Sequence, residues 1–306
     1  PKGKTQNYDY TKHISDSQNF LTKRQLIRKI LNLSSITADD IVLEIGAGKG
    51  HLTEALCQVS GLVYSVEIDR KLYEHTRTKL SHLTNLKLIH GDFLKLSLPA
   101  RGGYKIFANI PYFITTQIMD KLTNASNPPT DIWLIMEKGA ARRFAGIPKE
   151  TARSLFLKVK WESEILYHFH REDFHPMPSV DSVLLHLKRK AVPDLPANCI
   201  RPFQKFVEHS MKYGLCTKQG LLTKRQVSTA LKLAGLPPAH KDGITLYIQW
   251  LAYFDAIMGF RANPDRLLLS TPLLRHTASA GICAKKASSE LKMPFSDTKR
   301  FNISSN

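Results

Sequence analysis

Four apolar runs, each handing over to a glycine or a polar turn residue, constrain this chain more than any other feature. Residues 41–45 run into Gly46, residues 62–66 into Glu67, residues 86–89 into Asp92 by way of His90 and Gly91, and residues 105–108 into Asn109. Short apolar runs bounded by turn residues read as buried strands. Helical patterns lie between them. Leu52, Ala55, Leu56 and Val59 follow the first run at i, i+3, i+4 and i+7, and Ile114, Ile118, Met119 and Leu122 share a face after the fourth. Strands alternating with helices predict a parallel sheet. In such an open sheet ligands bind beyond the carboxyl ends of the strands, which is where all four turn residues fall.

The turn residues describe a ligand. Gly46, Gly48 and Gly50 are spaced G-x-G-x-G, not the G-x-G-x-x-G of loops that cradle a pyrophosphate. The spacing predicts a ligand without bridging phosphates. Glu67 lies 21 positions beyond Gly46, where an acidic residue usually bonds ribose hydroxyls. Asp92 can accept from an adenine amine or from a backbone group. In Asn109, Ile110, Pro111 and Tyr112, the Asn amide oxygen accepts from an amine. Pro111 fixes its own φ and keeps Ile110 out of helix, and Tyr112 supplies a flat ring. The set suits a planar aromatic that carries an amino group, such as a nucleobase.

The rhythm continues with a fifth strand over 131–136 and a basic helix carrying Arg142 and Arg143. A helix over 154–160 and a strand over 164–169 follow. Residues 173–182 then read as an extended loop held by Pro176 and Pro178, from which Phe174 projects, and residues 182–187 close the sheet. Ahead of the first strand, Gln18 and Asn19 offer polar contacts, Phe20 and Leu21 are apolar, and an amphipathic helix is predicted over 23–33. Helices are predicted over 203–211, 223–234 and 244–257, beyond a basic, Pro-containing linker at 188–193. This divides the chain into a flexible arm at 1–16, an α/β catalytic domain at 17–190, a small all-helical domain at 191–260 and a basic, disordered tail at 261–306.

The net charge is +18, which points to a polyanionic partner. It is unevenly spread: +5 over residues 1–30, +1 over 31–186, +7 over 187–260 and +5 over 261–306. A nearly neutral body between basic ends fits a catalytic domain with nucleic-acid-binding appendages. Arg142 and Arg143, and Lys218, Lys224 and Arg225 in the helical domain, are the candidate nucleic-acid contacts. Cys57, Cys199, Cys216 and Cys283 form no C-x-x-C pair, so no metal is expected and the thiols read as reduced. No apolar run approaches a membrane span, and the expected location is cytoplasmic.

These motifs carry a resemblance. Ser17-Gln18-Asn19-Phe20, Glu44-Ile45-Gly46 with Gly48 and Gly50, Glu67 with Asp69, Gly91-Asp92, Asn109 to Tyr112, and Phe174 with Pro176, Pro178 and Val180 resemble, in order and spacing, the Erm family of ribosomal RNA adenine methyltransferases. The wider group holds the KsgA-type enzymes of small-subunit RNA and non-catalytic nucleic-acid-binding relatives. Ile110, where KsgA-type proteins usually carry Leu, and the segment 221–226 tilt the likeness towards Erm. Thr115 stands where Ser is common and keeps the hydroxyl. The resemblance implies a Rossmann-like methyltransferase sheet and S-adenosylmethionine as donor. It implies transfer of one or two methyl groups to the 6-amino group of an adenine in 23S ribosomal RNA before or during ribosome assembly, by a monomer. Such methylation confers macrolide, lincosamide and streptogramin B resistance. The implied donor contacts are Gln18, Asn19, Leu21, Gly46, Gly48, Gly50, Glu67, Asp92 and Asn109. Tyr112 and Phe174 would sandwich the target base, while Asn109 and the Ile110 carbonyl, shaped by Pro111, accept from its amine.

Overall fold

The computed structural model describes residues 19–238 and 244–262. The chain divides at Pro193/Asp194 into two compact units.

The first unit is built on a seven-stranded sheet of order β4-β3-β2-β5-β6-β9-β7. Its strands are β2 (Ile41–Ile45), β3 (Leu62–Glu67), β4 (Leu86–His90), β5 (Lys105–Asn109), β6 (Asp131–Glu137), β7 (Trp161–His168) and β9 (Ser182–Arg189). The pairings from β4 through β6 are parallel, and β9 runs antiparallel to both of its neighbours. Two further short strands, β1 (Phe20–Leu21) and β8 (Phe174–His175), pair with each other, Leu21 opposite Phe174 and Phe20 opposite His175.

Alternation along the strands separates two cores. Leu43, Ile106, Leu134 and Leu185 face one cluster with Ile118, Met119 and Leu122 of α4 (Thr115–Thr123) and Phe144 of α5 (Lys138–Ala145). Val42, Phe107, Trp133 and Leu184 face the other, with Ile27 and Ile30 of α1 (Arg24–Leu31) and Leu52 and Leu56 of α2 (His51–Val59). Successive side chains on a strand point to opposite faces, so a sheet covered on both sides needs apolar residues at nearly every position. The uninterrupted Val183-Leu184-Leu185 of β9 has this character, and all three are fully buried.

That property corrects the expected strand order. Residues 182–187 do not close the sheet. β9 lies inside it, and β7, whose Glu162 and Glu164 are exposed, takes the edge. Three elements escaped sequence reading. α3 (Arg70–Lys79) buries only Thr76, so it shows almost no apolar stripe; its legible mark is Asp69, whose carboxylate accepts from Lys71 N and Leu72 N as an N-cap. The strands β1 and β8 are too short for periodicity. A short helix, α6 (Ala152–Lys158), precedes β7.

The second unit contains α7 (Ala197–Tyr213), α8 (Lys224–Leu233) and α9 (Tyr247–Ala262). Phe203 and Phe206 of α7 pack on Phe254, and Phe206 also on Trp250. The Tyr247 hydroxyl donates to Asp194 at 2.8 Å. The arm at 1–16 and the tail beyond 262 lie outside the described residues. No helix among the described residues is long and apolar enough to cross a membrane.

Candidate active site

The order of strands reverses between β2 and β5: β3 and β4 lie to one side of β2, β5 and β6 to the other. A crevice opens at such a switch point because the two connecting loops diverge. Here it is a cleft enclosing about 960 Å³, part of it open to solvent. The strand-end residues meet in its wall: Gly46 and Gly48 after β2, Glu67 of β3, Asp92 after β4, and Asn109 to Tyr112 after β5; Gly50, also expected there, is not in the wall and instead caps the start of α2. Asn19, Phe20 and Leu21 cover it from the N-terminal side.

The glycines are required by conformation. Gly46, Gly48 and Gly50 have φ of 82°, 54° and 76°, values that side chains rarely adopt. At Gly48 a Cβ would also sit 2.9 Å from the Phe20 ring. The N–H groups of the three glycines are engaged within the protein: Gly46 N on Val66 O, Gly50 N on Ala47 O, and Gly48 N on Glu67 Oε2 at 2.8 Å. An anion-binding loop needs its N–H groups turned to the ligand. This loop instead turns one onto a carboxylate, which brings acceptors into the cleft and leaves it unsuited to a pyrophosphate.

Glu67 is buried, and burial pushes its carboxyl above the usual range against the N–H groups of Asp69 and Gly48 that hold it ionised. Asp92 is partly exposed, and its Oδ1 accepts from Leu94 N at 2.8 Å. Glu44 of β2 is fully buried, its Oε2 accepting from Thr53 Oγ1 and Ser65 Oγ; burial pushes it up to about 7. Sequence reading quoted Glu44 in a motif but assigned it no role. His51 also lines the cleft, held below its usual range by burial and by nearby Lys79.

The Asn109–Tyr112 turn is held at several points. Ile110 N donates to Ile135 O, Ile114 N to Pro111 O, and Thr115 Oγ1 to Tyr112 O. The Tyr112 hydroxyl and Ser182 Oγ are 2.5 Å apart, which ties the ring to β9. Burial raises the Tyr112 hydroxyl above its usual range. Asn109 Nδ2 donates to Asn19 O at 2.7 Å. The hydroxyl partner Ser182 carries no local sequence signal, because it lies 70 residues away from Tyr112.

One expectation is corrected. Phe174 does not project from its loop. It is 4% exposed, packs against Phe169 with ring centroids 5.3 Å apart, and pairs through β8 with β1. An apolar ring flanked by a two-stranded pairing is worth more in the core than in solvent, and its position supports the segment that covers the cleft.

Of the other expected residues, Gln18 lies outside the described residues. Arg142 and Arg143 are exposed on α5, away from the cleft walls. Lys218, Lys224 and Arg225 are exposed in the second unit.

The sequence pattern of the family "Ribosomal RNA adenine dimethylase" matches residues 10–234. An rRNA adenine N-6-methyltransferase of Lysinibacillus sphaericus is 40% identical over 223 residues, 72% of this chain and 88% of that protein. One of Escherichia coli is 35% identical over 252 residues, 82% of this chain and 99% of that protein. Among solved structures, the 23S rRNA methyltransferase ErmE superposes with a TM-score of 0.70 at 28% identity, covering 78% of this chain and all (100%) of that one. A dimethyladenosine transferase from Plasmodium falciparum shares the fold, with a TM-score of 0.61 at 21% identity over 78% of this chain and 98% of that one.

Proposed function

The chain belongs to the ribosomal RNA adenine dimethylase family, and on that premise we propose that it methylates the 6-amino group of one adenine in 23S ribosomal RNA. The coarser activity comes with the family: it is an S-adenosylmethionine-dependent rRNA adenine methyltransferase. The finer reading is supported by the likeness to ErmE and by Ile110 in the tetrapeptide. The observation that carries the methyl-transfer reading is the shared cleft, in which a turn suited to an amino-bearing base stands beside a glycine loop that turns Gly48 N onto the Glu67 carboxylate rather than towards a phosphate. Methylation of that adenine would give macrolide, lincosamide and streptogramin B resistance. The enzyme would act as a monomer in the cytoplasm, before or during ribosome assembly.

The cleft fits the donor. S-adenosylmethionine has a ribose and an adenine but no phosphate, and supplies a methyl group on a sulfonium. Glu67 takes the ribose hydroxyls with the lone pairs left after Gly48 N and Asp69 N. Asp92 accepts from the adenine amine. Asn19 and Leu21 close the cleft over these groups. On the acceptor side, the target adenine must leave its stack to reach the cleft. The Tyr112 ring, fixed by Ser182, offers it a stacking face worth roughly 1–3 kcal/mol. Asn109 Oδ1 and the Ile110 carbonyl accept from its amine and turn the nitrogen lone pair inward. Catalysis by this chain is positioning and fixed dipoles, with no strong base. Arg142, Arg143, Lys218, Lys224 and Arg225 hold RNA phosphates.

Tritiated methyl transfer to protein-free large- and small-subunit ribosomal RNA, offered separately with primer extension, tests the reading. The expected result is a stop at one adenine of the peptidyl-transferase loop. Label confined to small-subunit RNA would assign the protein to the KsgA-type branch instead.

A further inference from the structure

Residues 19–23 are tied down at four points. Leu21 and Phe20 pair with β8. The Phe20 ring lies against Gly48, with the Lys49 ammonium 4.8 Å from its centroid. Lys23 Nζ meets Asp173 Oδ1 at 2.8 Å, the lysine side chain 54% exposed and the aspartate 9%. The fourth tie is the one with consequences: Asn19 O accepts from Asn109 Nδ2.

A main-chain carbonyl can only accept. The Asn109 atom facing it must therefore be nitrogen, and in a planar amide this decides where the oxygen goes. The torsion that turns an amide is soft and roughly two-fold. Without Asn19 O in place, the amide is free to present its NH2 group to the target. A donor facing an amine is a mismatch, and the lone pair is no longer turned inward.

We propose that residues 19–23 form a strap that selects the orientation of the catalytic amide, with Asn19 and Lys23 as positioning residues. The strap also walls the donor half of the cleft, so occupancy there and the alignment of Asn109 are linked, and the linkage is reciprocal. The inference rests on the role proposed above for Asn109.

Hydrogen exchange of the amides at 19–23, on the full chain with neither RNA nor donor present, tests the latch directly. Asn109→Ala is expected to speed that exchange roughly fivefold, and Lys23→Ala roughly threefold. Lys23→Arg, which keeps the ion pair, should stay within about twofold of the parent. In methyl transfer, Lys23→Ala should lower kcat roughly threefold at unchanged RNA affinity, because alignment matters at the reacting amine. Parent-level exchange in Asn109→Ala would overturn the latch. Loss of RNA affinity with kcat intact in Lys23→Ala would make Lys23 a phosphate contact and overturn its anchoring role. The exchange measurement uses no RNA, so its result stands or falls separately from the assignment of the 23S substrate. Lys23 is exposed, and its variants are expected to fold.

Discussion

Glu44 shows how a buried carboxyl leaves a mark on the whole protein. Its ordinary value of 4.5 rises to about 7 because burial penalises the charge. A carboxyl raised on folding binds its proton more tightly in the folded state, so the stability it contributes is complete below about 4.5 and is lost as pH climbs through about 7. Glu44→Gln keeps an acceptor for Thr53 and Ser65 but does not titrate. Between pH 5 and 8 the variant should gain on the parent in unfolding free energy, by an amount on the order of 3 kcal/mol. Chemical denaturation at both pH values reads this, and parallel curves would show that the carboxyl does not titrate across the range. Tyr112 makes a second residue-scale case. Tyr112→Phe loses the hydroxyl contact with Ser182 and should cost about 1 kcal/mol of stability with little loss of transfer. Tyr112→Ala removes the ring and should cut methyl transfer roughly a hundredfold while donor binding, measured by calorimetry, stays near the parent value.

The glycine loop and the strap behave as one element. Gly48 holds φ +54°, and its missing Cβ is where the Phe20 ring lies. Gly48→Ala therefore meets two penalties: left-handed backbone, about 1–2 kcal/mol, and displacement of the strap. The variant should bind S-adenosylhomocysteine roughly tenfold more weakly by isothermal titration. A change below about twofold would mean that the strap gives way without cost.

For the molecule as a whole, charge is the distinguishing property. The sheet-bearing stretch is nearly neutral while its flanks are basic. Exposed Arg142 and Arg143 are positive residues on that otherwise balanced body. Each phosphate contact contributes roughly 0.7–0.9 to the slope of log affinity against log salt. If both arginines contact RNA, Arg142→Glu with Arg143→Glu should flatten that slope by about 1.5. An unchanged slope would make them a solvated helix face.

Much of this was readable along the chain. Alternating strand and helix patterns marked the parallel part of the sheet, and the residues just past each strand marked the cleft, because in a parallel sheet all those ends lie together. Local chemistry also sufficed for the glycines, whose positive φ only glycine tolerates cheaply. The order of β7 and β9, the burial of Phe174, the tie between Tyr112 and Ser182 and the carbonyl of Asn19 against Asn109 were decided only in three dimensions. Each depends on groups brought together from distant parts of the chain: 90 residues separate Asn19 from Asn109, and 70 separate Tyr112 from Ser182. Periodicity records which way a side chain faces. Which partner it meets there is set by how the elements stack, and that is a property of the packed molecule.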